Sequence, residues 1–150
     1  MKCAKCEARR ARRFCPALRD EICAVCCGES REVTLDCPFD CPYLEEARRH
    51  DRTLAIDPES LPNRDIEVSE TFMEDNAVLF NVLGGAIAGI GSATPGATDH
   101  DIREALDAMI RTCRTRDSGL IYETRPTNLI AAGIQRRLSE EIDEARRQLR

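Results

Sequence analysis

The chain has 150 residues, a length that suits one domain of ordinary size, or one core with a small appended module. Its formal net charge is −5 at pH 7, which argues against wholesale electrostatic binding of nucleic acid but leaves room for a local basic patch. The opening residues, MKCAKCEARRARRF, include no apolar stretch of the kind that a secretory signal requires. We therefore expect a cytoplasmic, reducing environment, in which cysteines bind metal rather than form disulfides.

Nine cysteines divide the chain unevenly. Eight lie within the first 41 residues, and the ninth is Cys113. Charge divides the chain as well: the first 50 residues carry 10 Lys or Arg and 9 Asp or Glu, whereas the remaining 100 carry 12 and 18. We predict a cysteine-rich zinc-binding module over residues 1–53, a linker over residues 54–67 and an acidic α-helical domain over residues 68–150.

Few apolar residues are available to form a core in the cysteine-rich module. A segment this short cannot offset its chain entropy by apolar burial, so another interaction must hold it together. Residues 31–36, REVTLD, alternate polar and apolar side chains and predict a short strand of a β-hairpin after a turn at Gly28. Pro42, with acidic residues after it and basic residues further on, predicts a helix over about residues 41–53.

The first helix of the acidic domain is predicted to follow a capping box formed by Thr71 and Glu74. Its nearly uncharged part, residues 77–97, predicts a buried helix that ends in a glycine-rich turn. A membrane span is the less favoured interpretation, because an asparagine, a proline and acidic flanks interrupt the apolar stretch. Gly85 and Gly89 permit close helix packing, within the chain or between chains.

Two further helices are predicted after this one. The second begins after Thr98 or Asp99, and Cys113 falls on its apolar face, where we expect a small core residue. The third begins at Thr127 or Asn128 and carries one apolar stripe with charges elsewhere. Three amphipathic helices of this length predict a small bundle.

The spacing of the eight N-terminal cysteines indicates metal binding. It reads C-x2-C-x8-C-x7-C-x2-C-C-x9-C-x3-C. Two cysteines separated by two residues can turn both sulfurs toward one ion, and structural zinc is often held by four thiolates in a closed tetrahedral shell. Eight thiolates make two such shells, and metal binding would supply the folding free energy that the few apolar residues cannot. The side chains of Cys26 and Cys27 tend to point apart, so we expect them to bind different ions.

This arrangement resembles the cross-brace zinc modules of the RING, FYVE and MYND families, in which alternating ligand pairs serve alternating ions. The resemblance covers residues 3–41 only. The central histidine of RING, the basic motif of FYVE and the final histidine–cysteine pair of MYND are missing, so an architecture is implied but none of those families' activities. The implied ligands of one ion are Cys3, Cys6, Cys23 and Cys26. Those of the other ion are Cys15, Cys27, Cys37 and Cys41.

An iron–sulfur cluster is the main alternative for the same thiols, because clusters also accept all-cysteine ligation. Neither the close run of cysteines found in bacterial ferredoxins nor the longer plant-type spacing is present. The CCG at residues 26–28 also occurs in the repeat of heterodisulfide-reductase-like proteins, but without the wide gaps found there. We therefore favour zinc. A redox disulfide ranks third, because the C-x2-C units do not open a thioredoxin-like βαβ pattern.

Four arginines, Arg9, Arg10, Arg12 and Arg13, lie in the loop between the first cysteines. They could contact nucleic-acid phosphates, but a solvated loop that lowers thiol pKa values is the simpler interpretation, since few aromatic residues accompany them. No local motif indicates a catalytic nucleophile and base, and closed thiolate shells leave no open position for a substrate.

We predict a mainly α fold, in which a three-helix bundle follows a small cysteine-rich two-zinc module with a short β-hairpin. The expected function is non-enzymatic: a zinc-stabilised protein-interaction or adaptor protein, whose partner is another protein or a second copy of itself. A nucleic-acid-associated regulator acting through residues 9–13 is the first alternative. An iron–sulfur electron-transfer or redox-sensing protein is the second. We expect no membrane association.

Overall fold

The computed structural model describes residues 1–50, 57–60, 63 and 65–148. Within these residues the elements are, in chain order, β1 (Arg13–Cys15), β2 (Asp20–Ile22), α1 (Ala24–Ser30), α2 (Pro42–Arg48), a 3-10 turn (Pro58–Ser60), α3 (Glu70–Asp75), α4 (Ala77–Ser92), α5 (Asp99–Asp117) and α6 (Leu129–Gln148). The described part of the chain is thus mainly helical with one small antiparallel hairpin, and in these coarse terms the predicted fold class is confirmed.

The hairpin pairs β1 with β2, placing Arg13 opposite Ile22 and Cys15 opposite Asp20. Ile22 is buried in a small core whose other buried members are Cys3, Cys15, Cys23 and Cys26. Cysteine side chains, rather than apolar ones, therefore fill the centre of the first 30 residues.

The strand predicted at residues 31–36 is wrong. Gly28 lies inside α1 rather than in a turn, and the segment after the helix folds back on itself. The cause is the carbonyl oxygen of Ser30, which accepts hydrogen bonds from the three successive backbone N–H groups of residues 33–35. Those N–H groups are consequently not available to a neighbouring strand, and the hairpin forms earlier in the chain.

Helix α2 begins at Pro42, as predicted, with Cys41 as its N-cap residue. It ends at Arg48, earlier than the predicted end at residue 53, which lies outside the described residues. Residues 54–56, 61, 62 and 64 of the predicted linker also lie outside them. The division of the chain at this linker stays a prediction.

Helix α3 begins after Ser69, whose Oγ accepts a hydrogen bond from the N–H of Phe72 over 3.1 Å. The predicted capping box of Thr71 and Glu74 is therefore wrong, because both residues lie inside the helix. A single residue separates α3 from α4, and the rings of Phe72 and Phe80 meet edge to face with their centres 6.1 Å apart.

The predicted starts of α5 and α6 are confirmed. Thr98 and Asp101 form a full capping box at the start of α5. Asn128 accepts a hydrogen bond from the N–H of Ile130 over 2.8 Å at the start of α6. Helix α6 packs against both α5 and α4. The buried residues of this helical core are Ile90, Ala97, Ala105, Ala131, Ile134 and Leu138.

The sequence predicts a buried α4, but the first half of the helix is exposed. Val78 exposes 78 % of its surface and Val82 exposes 54 %. Burial is confined to the end of the helix, at Ile90 and Gly91. Helix α6 packs along one side of α4, and near the start of the helix α3 contacts only another part of its surface, through Phe72 against Phe80.

Cys113 is also exposed, contrary to its prediction as a core residue. It lines an open cavity between α5, α6 and residues 120–123, since the buried residues of α5, Asp101, Ala105 and Ala108, all lie at or before the middle of the helix. In the part of the chain that the structure describes, no helix combines the length and apolar character needed to cross a membrane.

Candidate metal centre

The first C-x2-C unit, Cys3 and Cys6, lies in a tight loop. The N–H of Cys3 donates to the carbonyl oxygen of Arg9 over 2.9 Å, and the N–H of Glu7 donates to the carbonyl oxygen of Cys3 over 2.8 Å. Glu7 has a φ of 54°, in the left-handed region, and this conformation reverses the chain directly after Cys6. The loop therefore turns both sulfurs toward the same place.

The second C-x2-C unit, Cys23 and Cys26, lies at the start of α1. Cys23 is the N-cap residue, and its Sγ accepts a hydrogen bond from the N–H of Cys26 over 3.4 Å. Strand β2 leads directly to Cys23. The N–H of Ala4 donates to the carbonyl oxygen of Glu21 over 2.9 Å, which attaches the first loop to this strand.

The two units meet in one cluster. The Sγ atoms of Cys3, Cys6, Cys23 and Cys26 all lie within 4.8 Å of one another. Four sulfurs at about 2.3 Å from a tetrahedral zinc ion are about 3.8 Å apart, so small side-chain rotations suffice to close the shell. Cys6 is partly exposed and the other three are buried. The cluster lies close enough together to bind a metal ion, and it is the first of the two sets that the resemblance implies.

Without a bound cation, the thiols of this cluster differ in their pKa values. Burial raises the pKa of Cys3, but hydrogen bonds from the backbone of Cys23, Cys6 and Lys5 outweigh it and lower that pKa to about 6. Burial is the largest of the effects that raise the pKa of Cys26 to about 12, and hydrogen bonds with the other three thiols are the next largest. A divalent cation would stabilise the thiolate form and so displace the proton that burial and the neighbouring thiols hold on Cys26.

Arg9 brings positive charge to the cluster. A hydrogen bond to the Cys23 thiolate, together with the charges of the neighbouring thiolates, raises the pKa of the Arg9 guanidinium. Four thiolates around a divalent ion carry a net charge of about −2, so a nearby cation stabilises the loaded site. The Nζ of Lys5 donates to the Oγ of Ser30 and, over 3.1 Å, to the Oγ1 of Thr34, which connects the first loop to the turn after α1.

The remaining four N-terminal cysteines lie near one another but are less tightly gathered. Cys15 ends β1, Cys27 lies in α1, and Cys37 and Cys41 flank the turn before α2. No second group with ligand atoms within 4.8 Å of one another occurs in the part of the chain that the structure describes. Burial raises the pKa of Cys37, and the charges of Cys41, Cys15 and Cys27 raise it further. The four thiols are therefore close enough to act on one another.

Arg13 lies among the elements that carry this second set. Its Nη1 is 3.6 Å from the Sγ of Cys27, and its guanidinium lies 4.7 Å from the centre of the Tyr43 ring. Arg13 comes two residues before Cys15, and Tyr43 two residues after Cys41, so one side chain spans β1, α1 and α2. Of the four arginines in the loop, Arg9, Arg10 and Arg12 are exposed and Arg13 is half-buried.

Phe39 is a residue of this region that the sequence-based prediction missed. Its N–H donates to the carbonyl oxygen of Ala97 over 2.8 Å, and its ring packs against the helical core. The next residue, Asp40, accepts a hydrogen bond from the N–H of Gly96 over 3.1 Å. A phenylalanine between cysteines, in a segment with few apolar neighbours, was the available signal that this turn packs on another part of the chain.

Comparisons with protein-family models, with curated proteins and with solved structures found no match. The function of the chain is therefore inferred from its own residues.

Proposed function

We propose that this chain is a zinc-stabilised, non-enzymatic protein-interaction or adaptor protein, whose cysteine-rich module holds two ions. The observation that carries the proposal is the largely buried cluster of Cys3, Cys6, Cys23 and Cys26, with all four sulfurs within 4.8 Å of one another. Zinc in such a site is fully coordinated by protein and has no open position for a substrate. The ion would act as the core that the apolar residues of this segment cannot supply.

The sulfur distances favour a single ion over an iron–sulfur cluster. In a four-iron cluster each thiolate binds a different iron, so the cysteines surround a polyatomic core. A single tetrahedral ion instead draws four sulfurs to about 3.8 Å from one another. A limit of 4.8 Å on every pair of sulfurs supports the single ion. Zinc is the usual ion of closed four-cysteine structural sites, and we assign it here.

The second ion is assigned to Cys15, Cys27, Cys37 and Cys41. Cys26 belongs to the first cluster whereas its neighbour Cys27 contacts Arg13, which supports the division of adjacent cysteines between two ions. Zinc at this place would fasten β1, α1 and the start of α2 to one another. The side chains of the second set would have to draw together as the ion binds.

With both shells closed, function would reside on protein surfaces. The turn that contains Phe39 is attached to the helices by the bond to Ala97, so zinc would fix how the cysteine-rich residues lie against the helical core. The helices themselves expose several large apolar side chains, a feature typical of interaction sites.

Zinc stoichiometry tests the metal assignment. Protein purified under reducing conditions and analysed by elemental mass spectrometry should carry two zinc ions per chain. Cys26→Ser should remove the first ion and Cys37→Ser the second, whereas the matched control Cys113→Ser, at an exposed thiol, should keep both. A wild-type value well under one zinc per chain, or stoichiometric iron with visible absorbance, contradicts the assignment. A wild-type value of one contradicts the second ion.

A capture experiment tests the interaction role. Tagged wild-type chain and Cys26→Ser chain are compared as baits under reducing conditions. A partner protein that the wild type retains and the variant loses supports the role. A zinc-loaded chain that retains neither a partner protein nor a second copy contradicts it.

A further inference from the structure

An exposed apolar surface covers the first half of α4, α3 and the residues before α3. Its large apolar side chains, each between 39 % and 78 % exposed, are Ile66, Val68, Phe72, Met73, Val78, Leu79, Phe80 and Val82. Helix α4 carries no charged residue along its whole length. Scattered apolar residues are normal on a protein surface, but a contiguous group of this size marks an interaction site.

The size of this surface matches what a stable dimer needs. Phe72 and Phe80 contact each other on the other side of α4 from Val78 and Val82. The remaining six side chains present on the order of 90 Å² each, or roughly 500 Å² in total. A standard protein–protein interface buries about 800 Å² on each partner, of which about 65 % is apolar in homodimers.

One stripe of α4 is complementary to itself. Val78, Val82, Gly85 and Gly89 follow at steps of four, three and four, which aligns them along one side of the helix. All four are exposed, and around Gly85 and Gly89 no atom from elsewhere in the described chain lies within 4 Å of an added Cβ. Two copies of α4, packed antiparallel about a two-fold axis between residues 83 and 84, place Val82 opposite Gly85 and Val78 opposite Gly89. The valines then occupy the space that the glycines leave, and the two backbones approach closely.

The charges that precede α4 also favour the antiparallel arrangement. Glu70, Glu74 and Asp75 lie before the helix and are exposed. In an antiparallel pair these acidic starts lie at opposite ends of the interface, and the two helix dipoles are opposed. A parallel pair would bring the two acidic ends together.

We propose that the chain forms a two-fold symmetric dimer in which α4 packs antiparallel on α4 of a second copy, with Val82 against Gly85. The exposed half of each helix then lies against the half of its partner that is anchored in the helical core. The interface is isologous, so the contact between valine and glycine occurs twice about the axis. This inference deepens the proposed interaction role by naming the partner, and it is independent of the metal assignment.

Sedimentation velocity on the zinc-loaded full chain, across micromolar concentrations, tests the dimer. The wild type should sediment with twice the 16.8 kDa mass of the chain. Val82→Glu should weaken dimerisation by at least about 100-fold, because each carboxylate would be buried without a partner. Ile121→Glu makes the same change at a fully exposed residue outside this surface and should leave the dimer intact. Circular dichroism on each variant identifies any loss of fold.

A mixing experiment tests the register. Gly85→Lys alone should also weaken the dimer, since the added side chain finds open space within its own protomer but meets Val82 of the second copy. Equal amounts of Val82→Glu and Gly85→Lys chains should form a heterodimer at least about tenfold tighter than either variant alone, because the new carboxylate faces the new ammonium group.

Three outcomes would overturn the proposal. The first is a wild type that is monomeric at every concentration. The second is a mixture of the two variants that shows no gain in affinity. The third is a monomeric chain that floats with phosphatidylcholine vesicles, which would assign the surface to lipid. Zinc content is measured on the same samples. A monomer that carries its full zinc therefore rejects the dimer and leaves the metal assignment standing. A dimer that carries no zinc supports the dimer and rejects the metal assignment.

Discussion

The backbone N–H of Phe39 donates a hydrogen bond to the carbonyl oxygen of Ala97 over 2.8 Å. Phe39 lies midway between Cys37 and Cys41, and Ala97 lies in the turn between α4 and α5. The Phe39 ring packs against the helical core, and the guanidinium of Arg48 covers it at 5.3 Å from the ring centre. The turn that carries two cysteines of the second set is thus held in place by the helices.

Phe39→Ala should loosen this attachment. Removal of a partly buried aromatic ring is expected to lower the free energy of unfolding by about 2 kcal/mol, less than the loss for a fully buried ring. Urea denaturation followed by circular dichroism measures the change. Phe14→Ala, at a ring that is more than half exposed, is the matched control and should cost less than about 0.5 kcal/mol. Equal losses for the two variants would contradict the role of Phe39.

Asp101→Ala should destabilise the helical half of the chain. The buried Asp101 carboxylate accepts a hydrogen bond from the N–H of Thr98 over 2.9 Å and another from the Nδ2 of Asn128 over 2.6 Å, so it joins the starts of α5 and α6. Its loss leaves buried donors without a partner and is expected to cost about 2–3 kcal/mol. Asp99→Ala, in the same turn but exposed, should cost about 0.5 kcal/mol. Thermal unfolding of the two variants compares them directly, and a similar cost for both would be the contrary result.

Removal of metal should loosen the first 30 residues before the helices. Their core consists mainly of cysteines, whereas α6 packs through apolar residues such as Ile134 and Leu138. After treatment with a strong chelator, amide exchange of residues 3–30 should accelerate by at least about tenfold, with a smaller change in the centre of α6. Hydrogen-exchange mass spectrometry resolves the two regions. Unchanged protection of residues 3–30 after complete metal loss would contradict zinc as the core of this segment.

Zinc binding should release protons and strengthen as pH rises. With its pKa raised to about 12, Cys26 holds a proton throughout the neutral range in the metal-free chain, and the ion must displace it. Cys3, with a pKa of about 6, contributes a proton mainly at lower pH. We expect about a tenfold gain in affinity per pH unit for each proton displaced. Calorimetric titrations in two buffers of different ionisation enthalpy count the protons, and an affinity that is constant across the neutral range would show that none is released.

Local signals in the sequence accounted for the parts of the structure that depend on adjacent residues. The geometry of each C-x2-C unit, Cys3 with Cys6 and Cys23 with Cys26, is set within four residues, whereas the pairing of the two units was implied by the cross-brace resemblance. The cap at Thr98 likewise depends on a side chain and an N–H group three positions apart. Such features involve few distant contacts, so composition and spacing are sufficient to predict them.

The predictions that failed depend on contacts between distant segments or on competition for backbone groups. Residues 31–36 alternate as a strand does, but the carbonyl oxygen of Ser30 captures their N–H groups. The apolar composition of α4 predicts burial, yet burial depends on which elements reach the helix, and α6 covers only part of it. The looser arrangement of Cys15, Cys27, Cys37 and Cys41 has the same origin, because these residues come from four separate segments.

The exposed position of Cys113 makes the chain easy to follow spectroscopically. If both proposed ions are bound, this is the one sulfhydryl that no ion would protect, and it faces solvent beside a cavity of about 640 Å³. A maleimide fluorophore should therefore attach at a single point while the other eight thiols stay masked. The ratio of dye to polypeptide, read from absorbance, then measures metal occupancy. The same label on α5 can report when a second molecule binds nearby.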